Sequence, residues 1–257
     1  VPLARVLAAH WRAAAAQPPL SSADAHIAAV MLEHALRPLA VPAPTADLTH
    51  PTASGLGLLV ALAAKWRAGL PYLLTELGIY LRQRYLDYRD RLPPAVRTVM
   101  LCFFRALAEL GYTEATVVAA GSRFTQRWQV RHGAHPGKVV VVPGGADPAE
   151  FPIRPEPAEP NVVWVGRIGP LQDLGTLLAA FHRVRWHLPT ARLRLVGPTA
   201  DPDYQARCQQ QIRQLGLTDA VEFTGELPHP APAYAAGQVV VRSGVGEGVP
   251  YPVLEAM

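Results

Sequence analysis

Short unbroken apolar runs alternate with longer stretches of helical periodicity along this chain. Val96, Val99, Met100, Phe103, Leu107 and Leu110 fall at i, i+3, i+4, i+7, i+11 and i+14, one face of a long amphipathic helix. Residues 25–39 and 55–66 carry helical patterns as well, while 47–50 and 71–75 read as strands around the second of these. The runs at 116–120 and 139–142 are continuously apolar, the pattern of strands buried on both faces. Beyond residue 160 the rhythm sharpens. Strand patterns at 161–165, 191–196, 221–223 and 239–241, the last read as buried, alternate with helical faces built on Leu174, Leu177, Leu178, Phe181, Val184 and Leu188, and on Tyr204, Cys208, Ile212 and Leu215. Strands alternating with helices mean parallel α/β sheets, and the second half reads as half of a doubly wound fold.

Prolines at 148, 152, 155, 157 and 160 can neither continue a helix nor fill a central strand. The expectation is a stiff linker over 151–160, dividing a first domain at 1–150 from a second at 161–257. Both ends run into unfinished elements. Val1 stands inside a helical pattern, and 253–257 begin a helix with no stop signal. The chain reads as an internal piece of a longer protein, with both domains incomplete.

Composition narrows the classes. Half of the 257 residues are hydrophobic and 17% are charged, which supports buried cores and excludes disordered or fibrous chains. The longest strongly apolar stretch free of charge, 56–64, stops at Lys65, far short of the roughly 20 residues of a membrane span. No secretory signal pattern opens the chain. Cys102 and Cys208 are the only cysteines, too few for a disulfide framework or a thiolate zinc site, which suits the cytoplasm. The formal charge of +4 comes mainly from scattered arginines and makes no nucleic-acid stripe. Arg82, Arg84, Arg89 and Arg91 stand near Tyr80, Tyr85 and Tyr88, but Asp87 and Asp90 interrupt them. A solvated surface or an anionic acceptor groove fits better than nucleic acid.

Chemistry is expected where ligands meet open α/β sheets, at the carboxyl ends of strands. Two loops hold that position. In 166–172, Gly166 follows a strand directly and allows close approach, and Arg167 beside it offers charge-assisted contacts to a phosphate. A tight βα turn with a solvated arginine would have the same sequence. In 243–255, Gly244, Gly246 and Gly248 leave backbone N–H groups to face a ligand, and the helix starting near Pro250 adds its positive dipole end. Glu247 and Glu255 can bind ribose or sugar hydroxyls there; a glutamate favoured by a helix start would look alike. The glycine spacing is not that of a dinucleotide fingerprint, and no phosphate-binding Walker loop, nucleophile elbow or paired-histidine metal motif is present. His132 and His135 lack nearby acids or cysteines, so no metal site is assigned. His50 follows a strand pattern, where a cleft-facing and a structural histidine are both consistent.

The strings G-R-I-G-P-L-Q-D-L-G-T-L-L-A-A-F, L-R-L-V-G, E-F-T-G and E-G-V-P-Y-P-V-L-E-A-M together resemble the donor-binding domain of family 4 glycosyltransferases. Upstream, A-K-W-R-A-G-L-P-Y-L-L-T-E-L-G-I-Y-L-R-Q-R-Y and G-S-R-F-T-Q-R-W are similar to the subgroup that includes the transferase of Pel-type exopolysaccharide synthesis. The resemblance implies the GT-B architecture: two Rossmann-like, doubly wound parallel-sheet domains, here both incomplete. It implies retaining transfer from a UDP-sugar to a polysaccharide or glycoconjugate, without a metal or cofactor, alongside membrane synthase subunits. Arg167 and Glu247 would be catalytic. Gly166, Gln172, Gly248, Val249, Pro250 and Glu255 would bind the donor, Glu255 through its ribose. His50, Glu76, Leu77 and Gly78 would face the cleft from the acceptor side.

The chain departs from that pattern in four places. Gln172 replaces a lysine expected as second phosphate cation, and Leu77 replaces a histidine expected against the donor sugar. Gly144-Gly145 replaces Asn-Gly, and Pro252 removes one backbone donor. A relative that kept the fold and lost the chemistry, serving as a nucleotide-sugar-binding or scaffold subunit, is the alternative.

Overall fold

The computed structural model describes residues 2–14, 18–89, 91–245 and 250–257. The chain folds as two units, Val1–Pro143 and Gly144–Met257. Each is built on a parallel sheet, so the α/β reading holds for both.

The first unit runs α1 (Pro2–Ala13), α2 (Ser22–Ala35), α3 (Gly57–Ala68), β1 (Leu73–Glu76), α4 (Tyr80–Tyr88), α5 (Pro94–Glu114), β2 (Val117–Ala120), α6 (Arg123–Arg131) and β3 (Val139–Val141). The starts and stops of its helices are written locally. Ser21 and Asp24 form a reciprocal capping box at the head of α2, and Gly69, at φ +69°, ends α3 in the left-handed conformation. The strands lie in the order β1-β2-β3. Leu58 and Leu62 of α3 and Val96, Met100 and Leu107 of α5 bury against Tyr72, Leu74 and Val118 of the sheet. The strand expected at 47–50 reduces to one parallel bridge, Thr49 to Tyr72. Pro51 follows at once and has no N–H to extend a ladder.

The second unit runs β4 (Asn161–Val165), α7 (Leu174–His187), β5 (Arg192–Val196), α8 (Pro202–Gln214), β6 (Val221–Gly225), α9 (Ala231–Ala235), β7 (Val239–Val240) and α10 (Tyr251–Ala256). Its sheet has the order β6-β5-β4-β7. Alternate residues serve opposite faces. Trp164, Leu193 and Leu195 pack with Leu174, Leu178 and Ile212 of α7 and α8, whereas Val163 and Val196 pack with Ala233 of α9.

Three expectations change. The runs at 139–142 and 239–241 are not buried on both faces: β3 and β7 are edge strands, and Val140, Val142 and Val239 are about half exposed. The apolar run marks β propensity, and only position in the sheet decides burial. The units divide at Pro143, and the proline-rich segment, read as a stiff linker over 151–160, belongs to the second unit. There Phe151 packs on the rings of His229 and Tyr234, at 5.6 and 5.9 Å, and the Gln238 amide donates to the Pro157 carbonyl at 2.9 Å. A proline cannot donate to a ladder, but its carbonyl still accepts. Among the described residues, no helix is long and apolar enough to cross a membrane.

Candidate functional site

The site begins with the strand order. From β4 the chain moves outward to β5 and β6, then returns to place β7 on the other side of β4. Loops after β4 and β7 therefore stand at the reversal of strand order, the place where open α/β sheets take ligands.

The β4 loop is tied to the β5 loop. Ile168 N–H donates to the Pro198 carbonyl at 2.9 Å, and the N–H groups of Ala200 and Asp201 donate back to the Ile168 carbonyl. Gly166 N–H donates to Val196 O at 2.9 Å. The two backbones meet so closely that a Cβ on Gly197 would lie 1.9 Å from Gly166 O, and Gly197 sits at φ +137°, a region closed to L side chains. Gly197→Ala is therefore expected to lower unfolding free energy by more than about 3 kcal/mol. An unchanged urea midpoint would contradict this contact. The loop ends at Asp173, whose carboxylate caps α7 by accepting from Thr176 N–H at 3.3 Å. The Tyr204 hydroxyl accepts from Leu174 N–H at 2.8 Å, and burial pushes that phenol up to about 12, so it stays protonated.

The β7 loop closes over the β4 loop. Ser243 Oγ donates to Gln172 O at 2.6 Å, and Val245 N–H donates to Leu171 O at 3.0 Å. Arg242 Nη1 donates to Val165 O at 3.0 Å, with the guanidinium 5.7 Å from the Trp164 ring centre. Arg167 is exposed and Gln172 is half-buried in the same loop. Two loops 70 or so residues apart in sequence thus share one mouth, with the exposed Arg167 at its rim. This is chemistry suited to an anion.

Glu247, Gly248 and Val249, assigned from the sequence, lie outside the described residues. Pro250 precedes α10, and its carbonyl accepts from Val253 N–H at 2.9 Å. Glu255 lies on α10 and accepts from the Tyr234 hydroxyl. Burial first, and then this carboxylate, push the Tyr234 phenol far up, while Arg242 pulls it down. Glu255 and Tyr234 line a cavity of about 210 Å³ with Phe151, Arg154 and Gly237.

The residues that the sequence assigned to the acceptor side do not all face outward. His50 is exposed, with Nε2 2.7 Å from Thr75 Oγ1, and lines a cavity of about 490 Å³ with Thr49, Leu56 and Tyr80. Leu77 is 42% exposed and Gly78 is half-buried. Glu76 is 1% exposed and is corrected from a cleft-facing role. Its carboxylate accepts from Ser54 N–H and Oγ, from the Tyr112 hydroxyl at 2.5 Å and from Gln129 Nε2 at 3.3 Å. Leu74 and Glu76 stand two apart on one face of β1, and that parity was the available signal. Arg242 was also missed, although it follows a strand pattern as Arg167 does. Among the described residues no group of three or more His, Cys, Asp or Glu is assembled.

No curated protein sequence matches the chain. Solved structures do. Anabaena HepE, in complex with UDP and glucose, aligns with a TM-score of 0.66 at 19% identity, over 93% of this chain and 62% of that one. Sucrose-phosphate synthase from Thermosynechococcus elongatus aligns at 0.68 and 22%, over 91% and 58%. A glycosyltransferase from Rickettsia africae aligns at 0.62 and 15%, over 91% and 58%. The chain therefore spans about three fifths of the length of these relatives, and shares with them the GT-B fold. Residues 159–257, which hold both site loops, match the family described as glycosyl transferases group 1. Residues 4–137, more than half of the chain, match a second family, and by that match the chain belongs to the family described as a domain of unknown function (DUF3492), carrying a glycosyl transferases group 1 domain behind it.

Proposed function

We propose that this chain transfers a sugar, with retention of configuration, from a UDP-sugar to a polysaccharide or glycoconjugate acceptor. The reaction needs no metal ion and runs in the cytoplasm, in a family 4 enzyme of the Pel-type subgroup working beside membrane synthase subunits. The observation that carries this reading is the juxtaposition of the β4 and β7 loops at the reversal of the sheet, within the segment that matches glycosyl transferases group 1. The choice of UDP is supported by the Anabaena complexes, which hold UDP, glucose and UDP-glucose.

In this reading the diphosphate lies beside the Gly166 turn, with Arg167 against it and the segment at Gly248 and Val249 adding backbone donors ahead of Pro250, which has no N–H. Glu255 takes the ribose hydroxyls in place of the Tyr234 hydroxyl it now accepts from. Glu247 contacts the donor sugar. As the sugar–phosphate bond breaks, its electron pair passes to the phosphate oxygen, and the growing charge on UDP is what Arg167 stabilises. The acceptor-side roles fall to His50, Leu77 and Gly78 of the first unit.

Titration calorimetry of the full-length protein against UDP, GDP, ADP and NADH tests the site. Saturable binding of UDP alone is expected, with UDP released from a UDP-sugar in the presence of a chelator and the product anomer matching the donor by NMR. Preferential binding of NADH would sink the reading.

A catalytically impaired relative remains the second reading, favoured by two side chains. Gln172 is neutral in the phosphate loop, and Leu77, exposed at the end of β1, has no hydrogen to donate. If the unsubstituted protein turns over donor, this reading fails. If only the Gln172→Lys, Leu77→His double variant does, the scaffold role stands.

A further inference from the structure

We propose that Arg242 is the second cation of the diphosphate site, gripping with Arg167 the two phosphoryl groups of a nucleoside diphosphate; this rests on the reading of the site given above. Four described segments follow the strands of the second sheet: 166–173, 197–201, 226–230, and 241–245 with Pro250. Their basic side chains are Arg167, His229 and Arg242. His229 belongs elsewhere: its ring packs on Phe151 and its Nδ1 accepts from Ala231 N–H at 3.2 Å. The two arginines stand on the loops that follow neighbouring strands, β4 and β7.

The register places them. Val163 pairs with Val240, and two places further on Arg242 lies beside Val165, with Arg167 two residues beyond. The Arg242 guanidinium sits directly over the turn. A Cβ on Gly166 would come within 2.7 Å of Nη1, so the absence of a side chain at Gly166 is what lets the cation stand there. Val165 O accepts from Nη1 and the Trp164 ring lies beneath it, which together hold a side chain of high rotamer freedom in one place. Its charge also reaches Tyr234, the hydroxyl partner of Glu255. Arg242 thus stands between the phosphate loop and the carboxylate assigned to ribose, where a nucleoside diphosphate would run. Gln172, in the same loop, contributes no charge.

The contacts to Val165 and Trp164 are structural as well, so the test must separate charge from packing. Calorimetry on the full-length protein compares UDP with uridine, which shares the base and ribose and lacks the phosphates. Arg242→Gln is expected to weaken UDP binding about tenfold or more with uridine affinity unchanged, and Arg242→Lys is expected to recover part of the loss. Equal weakening of UDP and uridine, or undiminished UDP binding, overturns the proposal and leaves the site reading standing. No UDP binding by the unsubstituted protein overturns both. A measurement that needs no variant guards against misfolding. UDP and inorganic pyrophosphate, but not uridine, should protect Arg242 from phenylglyoxal, read by peptide mass spectrometry. Modification that UDP leaves unchanged overturns the proposal.

Discussion

Arg167→Ala lowers kcat of the full-length protein for a UDP-sugar by about 10²–10³-fold, and kcat/KM by a similar factor. The expectation follows from where the residue stands. It is exposed at the end of the central strand β4, on the loop that borders the reversal of strand order. In the proposed reaction its guanidinium meets charge that grows as the bond breaks, so most of its contribution is expected in the transition state. Removing one such preorganised donor costs about 3–4 kcal/mol. An interaction made only in the transition state lowers kcat and kcat/KM together, whereas uniform binding would raise KM and spare kcat. Stability gives the control. An exposed side chain outside the core should leave the unfolding midpoint within experimental scatter. A loss below threefold would remove Arg167 from the reaction, whatever the fate of the fold.

Glu76→Ala is expected to destabilise the first unit by about 3 kcal/mol or more, the largest effect of any single polar truncation there. The carboxylate is buried and draws together four segments: β1, the approach to α3 through Ser54, α5 through Tyr112 and α6 through Gln129. Truncation leaves the Ser54 and Tyr112 hydroxyls and the Gln129 amide facing a void. Each buried donor left without an acceptor costs about 1–3 kcal/mol. Glu76→Gln keeps the volume but turns an amide NH₂ toward groups that are themselves donors, so it should fall between wild type and Ala. Denaturation in urea checks the order. If Glu76→Ala unfolds at the wild-type midpoint while acceptor transfer is lost, the residue is a ligand-facing acid after all. Tyr112 adds a second check. Burial, and then Glu76, push its phenol far up, so it stays a neutral donor across the working range, and Tyr112→Phe should cost a fraction of the glutamate truncation.

Most helices and most strands were legible in the sequence because their signals are local, while α4, α6 and α9 were not read as helices. Val96 to Leu110 predicted α5 by periodicity, the run from Asn161 predicted β4, and Ser21, Gly69 and Asp173 cap their helices by short-range hydrogen bonding. The two loops of the candidate donor site were legible for the same reason: a glycine and an arginine directly after a strand, and a glycine-rich stretch before a helix. Recognition of a glycosyltransferase fold rested on those strings together.

Strand order was not legible, and it is what turns two loops into one site. A run such as Val239–Val240 carries β propensity but no information about its neighbour. Pairing with β4 rather than β6 comes from the return of the chain across the sheet, a long-range choice settled by burial of Val163, Val196 and Ala233 on the second face. Only that choice brings Arg242 over Gly166. Burial at sheet edges, the docking of the proline-rich segment through Phe151, and the inward turn of Glu76 are the same kind of result. The sequence by itself determined which residues become helix, strand and turn, because torsional preference and hydrophobic period act over a few residues. The tertiary structure alone decided which turns meet and which polar groups are enclosed, because those depend on the packing of segments far apart in the chain.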